Sequence, residues 1–393
     1  MAIHPTLSSS SQPPFACLFL PCYPVHSSQI ELILIPSAAG LTSLVEVATT
    51  VAGTPEGMAL FQALSTGNRT VFAPSNEAFA EVPESVSSNT TLLGQILSYH
   101  VLSRAYTPQG VAVGPNHTIA RTLLSGGEFA LYGNQTQPIV LERSGQNATG
   151  ITIVQGPNVM AMGPVAAANL QVYVIDRVLD LPANLSEIAS SSVPRLATLI
   201  PESALTALQA SMGFTLFAPT DAAVEAASGL LGTLNDTVVS NVLMNHVVNG
   251  TVAFSTDILG GANLTSNGGQ RFSFINNATG IFVTSGNSTA RIVSSDIIVE
   301  NGVIHTIDGI LANTASNASA ADTAFTSATG AAATMTQATA PVTQTSNPAM
   351  TSAASGSARP SGAASPLIGT SKSMIGGAIG LVAAVVGGAF VLV

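Results

Sequence analysis

Apolar residues in this chain recur with two periods, one helical and one strand-like, and the two alternate in the same order twice. In "NTTLLGQILSYHV", residues Leu92, Leu93, Ile96, Leu97 and His100 fall on one stripe of a helix. In "NDTVVSNVLMNHVV", Val238, Val239, Val242, Leu243 and His246 make the same stripe. The spacing predicts two helices with a buried face, each ending its stripe on a histidine. A buried imidazole must find hydrogen-bond partners, so both are read as core histidines rather than catalytic bases. Short alternating runs predict half-buried strands: in "RFSFI", Phe272 and Phe274 point opposite to Arg271 and Ser273.

The repeat extends well beyond these helices. "TVFAPSNEAF" at residues 70–79 returns as "TLFAPTDAAV" at residues 215–224. Each block reads as a β-prone run, a proline turn, and Ser75 or Thr220 placed to cap a following helix. The second unit closes with "DIIVENGVIHTIDGIL", where Asn301-Gly302 between two apolar runs predicts a tight hairpin. Its counterpart "NLQVYVIDRVL" has Leu170 in place of Gly302, so a different turn is expected there. Asp176 and Asp308 interrupt apolar strand sequence at equivalent places, which is most simply read as a carboxylate accepting backbone N–H bonds from a neighbouring loop. His305 is replaced by Tyr173 in the first unit, so no His/Asp pair is common to both copies, and His305 is also assigned a structural role.

Composition narrows the function classes. The chain of 393 residues has formal charge −10 with only ten basic residues, and its sole lysine is Lys372. Nucleic-acid binding needs clustered Lys and Arg, and this sequence has no such cluster. Cys17 and Cys22 both precede the patterned region, so no disulfide framework holds it together, and no further ligands flank the pair to make a metal site. No cofactor motif, GxSxG elbow, HExxH or phosphate loop occurs. The expectation is a protein that is not an enzyme and uses no metal or cofactor.

Asn-x-Ser/Thr acceptors stand at Asn68, Asn89, Asn116, Asn134, Asn147, Asn184, Asn235, Asn249, Asn263, Asn277, Asn287 and Asn317. Their abundance predicts passage through the secretory pathway. Residues 374–393, "MIGGAIGLVAAVVGGAFVLV", are uncharged and no basic residues follow them, while Gly362, Ala363 and Ala364 form a small triplet upstream of a short spacer. That pattern predicts a lipid anchor attached near Gly362; a retained transmembrane helix is the alternative. The expected layout is a leader or atypical signal region at 1–36, folded units at 37–181 and 182–314, a disordered Ser/Thr/Ala-rich stalk at 315–372, and an anchor signal at 373–393.

With these motifs taken together, the sequence resembles the fasciclin domain family over two copies. The resemblance implies an α+β fold of two tandem fasciclin-type domains, each a wedge-like β-sandwich packed with several helices, and a role in adhesion or extracellular interaction. It also implies binding roles for a Tyr-His pair at the end of the central helix and an Asp-Ile pair before the terminal block. Tyr99 and His100 match the first in one unit, where the other has Asn245 before His246; Asp296 and Ile297 match the second, where the first unit has Pro164 and Val165. The expected partners are cell-surface, matrix or wall proteins or polysaccharides, with membrane attachment through the C-terminal anchor or helix and no nucleic acid. The expected location is the outer face of the plasma membrane. The alternatives are a structural glycoprotein of the wall or of a vacuolar or endosomal lumen, and, ranked lower, a hydrolase.

Overall fold

A computed structural model describes residues 41–145, 148–334 and 342–343, without the side chains of residues 230 and 231, and all of them fall in one compact unit. The leader, both cysteines, Asn147, Gly362 and the apolar tail lie outside the described residues.

The first domain opens with helices α1 (Thr42–Val51) and α2 (Pro55–Leu64). Thr54 caps α2 by accepting from the Gly57 N–H at 3.0 Å, with Pro55 at the first helical position, where its missing N–H costs nothing. Strand β1 (Arg69–Pro74) leads into α3 (Asn76–Ala80), capped by Ser75, whose hydroxyl accepts from Ala78 N at 3.2 Å. Then come α4 (Glu84–Ser87), the central helix α5 (Thr90–Tyr99) and strands β2 (Val101–Leu102), β3 (Thr118–Arg121), β4 (Pro138–Glu142), β5 (Ile151–Ile153), β6 (Val159–Ala167) and β7 (Leu170–Ile175). The second domain repeats the order with α6 (Leu185–Ser192), α7 (Pro194–Ala197), α8 (Glu202–Gln209), β8 (Phe214–Pro219), α9 (Asp221–Leu231), the central helix α10 (Asp236–Met244), β9 (Val247–Asn249), α11 (Ser255–Leu259), and strands β10 (Phe272–Asn277), β11 (Gly280–Ser285), β12 (Ser288–Val299) and β13 (Gly302–Ile307).

In each domain the first and last strands pair in parallel, β1 with β7 and β8 with β13, while the intervening strands are antiparallel meanders. The central strip is buried on both faces. Ala73 and Val172 pack with Leu60, Leu64, Leu93 and Leu97 of the helices, whereas Phe72, Tyr173 and Ile175 face Ile139, Leu141, Ile151 and Ile153 of the strands that fold back over them. This two-faced burial gives each domain its α+β sandwich. Each such side chain contributes about 1.5–3 kcal/mol when fully buried.

The terminal hairpins close over two residues each, Ala168-Asn169 and Glu300-Asn301, because Ala167 pairs with Leu170 and Val299 with Gly302. The turn expected at Asn301-Gly302 is thereby moved back by one residue. Gly302 is instead the first strand position opposite Phe214, where a Cβ would come within 2.7 Å of the Phe214 carbonyl oxygen. In the first domain the facing residue is Arg69, which leaves room for Leu170. Asn169 and Asn301 have the same task. The Asn169 amide donates to the Leu64 and Gly67 carbonyls, and the Asn301 amide to those of Leu208, Gln209 and Ser211, satisfying the open end of α2 or α8.

The stalk expected from residue 315 is corrected over its first part, which forms helix α12 (Ala318–Thr334). Alanine is the strongest helix former, Asn317 caps the helix through Ala320 N at 3.1 Å, and Phe325 anchors it edge-on against Tyr132 with ring centroids 6.3 Å apart. Composition showed too few apolar residues for a core; a helix lying on an existing surface needs only an anchor. Strand β14 (Val342–Thr343) then pairs with β3.

Candidate functional site at the domain junction

The residues that the resemblance marks for binding do not make a surface. Tyr99 and His100 are buried at the end of α5, Asp296 is buried in β12, and Ile297 is half-buried against the helix-side core of the second domain. The Tyr99 hydroxyl donates to the Pro138 carbonyl at 3.3 Å, and burial pushes its pKa well above the usual phenol value. Three of the four side chains that the resemblance marks are thus buried and the fourth is half-buried, in keeping with the reading of His100 as a core histidine. Their sequence environment is apolar because they close the core.

His100 and His246 build the same clamp twice. His100 Nδ1 donates to the Ile96 carbonyl at 2.7 Å and Nε2 accepts the Leu179 N–H at 2.9 Å. His246 does the same with Val242 at 2.7 Å and Leu311 at 3.0 Å. A backbone N–H can only donate, so Nε2 must be unprotonated and both rings are neutral. Burial drives each pKa down to about 4, partly offset by the hydrogen bond to the Ile96 or Val242 carbonyl. Each clamp ties the central helix to the segment that leaves the last strand.

The cluster with the most chemistry joins the two domains. A bulge in β12 holds Asp296 at φ 63° and turns its carboxylate into the junction. There it accepts from His117 Nδ1 of the first domain at 2.6 Å, from the Ser255 backbone N–H at 2.7 Å, and from the Ser255 hydroxyl. Burial acts to raise the Asp296 pKa, but these donors and the adjacent imidazoles outweigh it and hold the carboxyl below its ordinary value. Behind it, His305 accepts the Asp296 N–H on Nδ1 at 3.3 Å and donates from Nε2 to the Ala253 carbonyl at 2.8 Å, stacked on Phe217. In the first domain the bulge residue is Pro164, which has no N–H to offer. The facing residue is accordingly Tyr173, whose hydroxyl donates to the Tyr106 carbonyl at 3.0 Å.

Around this polar centre the domains share an apolar patch of Ile119 and Val140 against Phe254 and Val303. Arg121 lies over the Phe254 ring with its guanidinium carbon 5.6 Å from the centroid, and burial lowers its pKa to about 10. The Gln137 amide donates across the junction to the Glu300 carbonyl, and Tyr132 N donates to Met212 O at 3.1 Å.

Ser255, Asp296 and two histidines in one place invite comparison with a hydrolytic triad, and the geometry is wrong for one. A triad needs the histidine between serine and carboxylate. Here the serine hydroxyl bonds directly to the carboxylate, His305 spends both ring nitrogens on the backbone, and all four side chains are buried. The arrangement satisfies a buried charge and fixes one domain against the other. Among the described residues no group of three or more His, Cys, Asp or Glu could hold a metal ion.

Sequence reasoning missed His117, Ser255, Arg121 and Phe254. The available signal was Asp296 itself, since a buried carboxylate must recruit donors; nothing in the sequence says that the donor comes from the other repeat. Asp308 accepts the Arg291 N–H at 2.7 Å and pairs with its guanidinium at 3.5 Å, so its backbone donor lies on strand β12 rather than in a loop. Asp176 is exposed just beyond β7. Of the twelve acceptor asparagines, the eleven described are exposed or half-buried and none is buried. Asn89, Asn184, Asn235 and Asn317 cap α5, α6, α10 and α12 through Oδ1, which leaves Nδ2, the nitrogen that would carry a sugar, outside the cap bond.

Two α+β units, each with parallel first and last strands, a histidine-clamped central helix and a meander, define a tandem fold, and sequence comparison gives its family. The chain belongs to the fasciclin family: the Fasciclin domain profile matches residues 47–182 and 192–313. It is similar to the immunogenic protein MPB70 of Mycobacterium bovis, with 34% identity over 128 residues, 32% of this chain and 55% of that protein. It is also similar to the fasciclin-like arabinogalactan protein CTB11 of Cercospora beticola, with 26% identity over 259 residues, 63% of this chain and 68% of that protein. Human periostin is 29% identical over 259 residues, 62% of this chain and 28% of that protein. The chain thus spans about half the length of the mycobacterial relative. A solved FAS1 domain pair from the insect cell adhesion molecule Fasciclin I is 18% identical, covering 70% of this chain and 97% of that one, with a TM-score of 0.34.

Proposed function

We propose that this chain is an exported, N-glycosylated adhesion or matrix-interaction protein that presents two fasciclin domains as one rigid body, held at the outer face of the plasma membrane by a lipid anchor near Gly362. The observation that carries the reading is the buried junction at Asp296, which fixes the second domain against the first and makes a two-domain surface available to a partner. The exposed or half-buried placement of all eleven described acceptors supports export, since a packed core has no room for a bulky polar sugar. Similarity to a protein named as a fasciclin-like arabinogalactan protein supports a partner among cell-surface or wall components.

Adhesion is tested by displaying the full chain on non-adherent cells and scoring cell–cell and cell–wall attachment against cells without it. Attachment that does not rise rejects the reading. Release of intact protein by phosphatidylinositol-specific phospholipase tests the anchor separately.

The second reading, a structural glycoprotein of the wall or of a vacuolar or endosomal lumen without a defined adhesive partner, is favoured by one observation. Tyr99, His100 and Asp296, the residues a family-type receptor contact would use, are buried. Saturable binding of the purified protein to a single cell-surface or wall component decides against it.

A further inference from the structure

We propose that the groove between the second domain and helix α12 seats the N-linked glycan carried by Asn263, and that this sugar both finishes the outer face of that domain and holds α12 against it. The proposal rests on the reading of the chain as exported and glycosylated. The groove measures about 680 Å³, within the ~300–1,000 Å³ typical of sites that hold a small organic group. Three of its rim residues, Asn249, Asn263 and Asn317, begin Asn-x-Ser/Thr acceptors. Asn249 is half-buried beside Gly250, whose backbone at φ 79° lies under the Phe325 ring, and Asn317 belongs to the start of α12 itself, which it caps. Asn263 is exposed at the side of the groove. Arg271 on one wall and Thr323 and Ser327 on the other offer hydrogen-bonding groups to ring hydroxyls.

The repeat explains why a sugar should stand there. Leu123 N donates to Val101 O in the first domain and Asn267 N to Val247 O in the second, each acceptor directly following the clamp histidine. Counting back four residues from each donor sets Asn263 in the place of Ile119. Ile119 belongs to the apolar patch that receives the second domain. The face that docks a domain in the first repeat therefore carries a sugar acceptor in the second, where α12 covers it instead. That helix has one large apolar anchor, Phe325, which keeps 36% of its surface exposed, so contacts from a seated sugar would add materially to its attachment.

The test uses the chain secreted from a glycosylating eukaryotic host, with glycopeptide mass spectrometry for occupancy and amide hydrogen exchange for residues 318–334. Asn263 should be occupied. Asn263→Gln and Thr265→Ala, which remove the same acceptor in different ways, should each speed exchange in the helix by about five-fold or more, as expected for loss of a local stabilising contact. Asn277→Gln, on the β10 edge, should leave the helix unchanged. Enzymatic removal of sugars from the unaltered protein gives the same readout if either variant fails to be secreted. Asn263 bare while Asn277 is occupied overturns the glycan seat and leaves export standing. An occupied Asn263 whose loss does not alter exchange overturns it as well. All acceptors bare overturns both the seat and the export reading.

Discussion

Asp296 and His100 are both polar residues in apolar surroundings, yet they answer different questions. Asp296 keeps its charge because three donors converge on it, so removing the charge leaves those donors facing an amide. Asp296→Asn is expected to lower unfolding stability by about 3 kcal/mol, as for other broken buried charge clusters, whereas Asp308→Asn, whose ion pair is half-exposed, should cost under about 1 kcal/mol. Urea denaturation of both variants checks the contrast, and equal losses would refute the assigned roles. His100 and His246 are held neutral, with pKa values lowered to about 4. An unfolded histidine titrates near 6.5, so between about pH 6.5 and about pH 4 the unfolded chain binds more protons and stability falls as pH falls. The clamp contribution is complete above that window and is lost through it, on the order of 3 kcal/mol per histidine. Urea midpoints that stay level between pH 7.5 and pH 4.5 would contradict it.

At the scale of elements, the hairpin turn lies one residue before its expected place and the terminal helix replaces an expected stalk, in both cases because the packing partner is not visible in the local sequence. Gly302 looks like a turn glycine and is a packing glycine, placed where Phe214 leaves no room for a Cβ. Gly302→Ala should therefore destabilise the second domain by about 2 kcal/mol through overpacking, measurable by thermal unfolding; a neutral result would return the glycine to a turn role. Helix α12 reads as low-complexity sequence and becomes ordered because it finds Tyr132 and Gly250 to pack on. Phe325→Ala should raise hydrogen exchange across residues 318–334 while the central helix Thr90–Tyr99 stays protected. Equal exchange in both forms would mean that Phe325 is no anchor.

For the whole molecule the junction is decisive, since the apolar patch and the Asp296 cluster join the two homologous domains through a buried contact, and one cooperative unfolding transition is expected. Ile119→Asp places a charge in that patch, and the expected outcome is a calorimetric unfolding curve that splits from one transition into two. A single transition in the variant would show that the coupling resides elsewhere.

The sequence by itself determined the repeat, the domain class and the two clamp histidines, because each depends on short-range periodicity: the stripe from Leu92 to His100, the Ser75 and Thr220 caps, and the alternating terminal strands. The family followed from the same blocks. Only the tertiary structure decided that Asp296 is bound by His117, that Tyr99 is core, that Gly302 avoids Phe214, and that residues 318–334 are helix rather than stalk. Those outcomes depend on contacts between residues up to 179 positions apart in the chain, and a linear pattern records which residues are apolar without recording which distant surface will cover them.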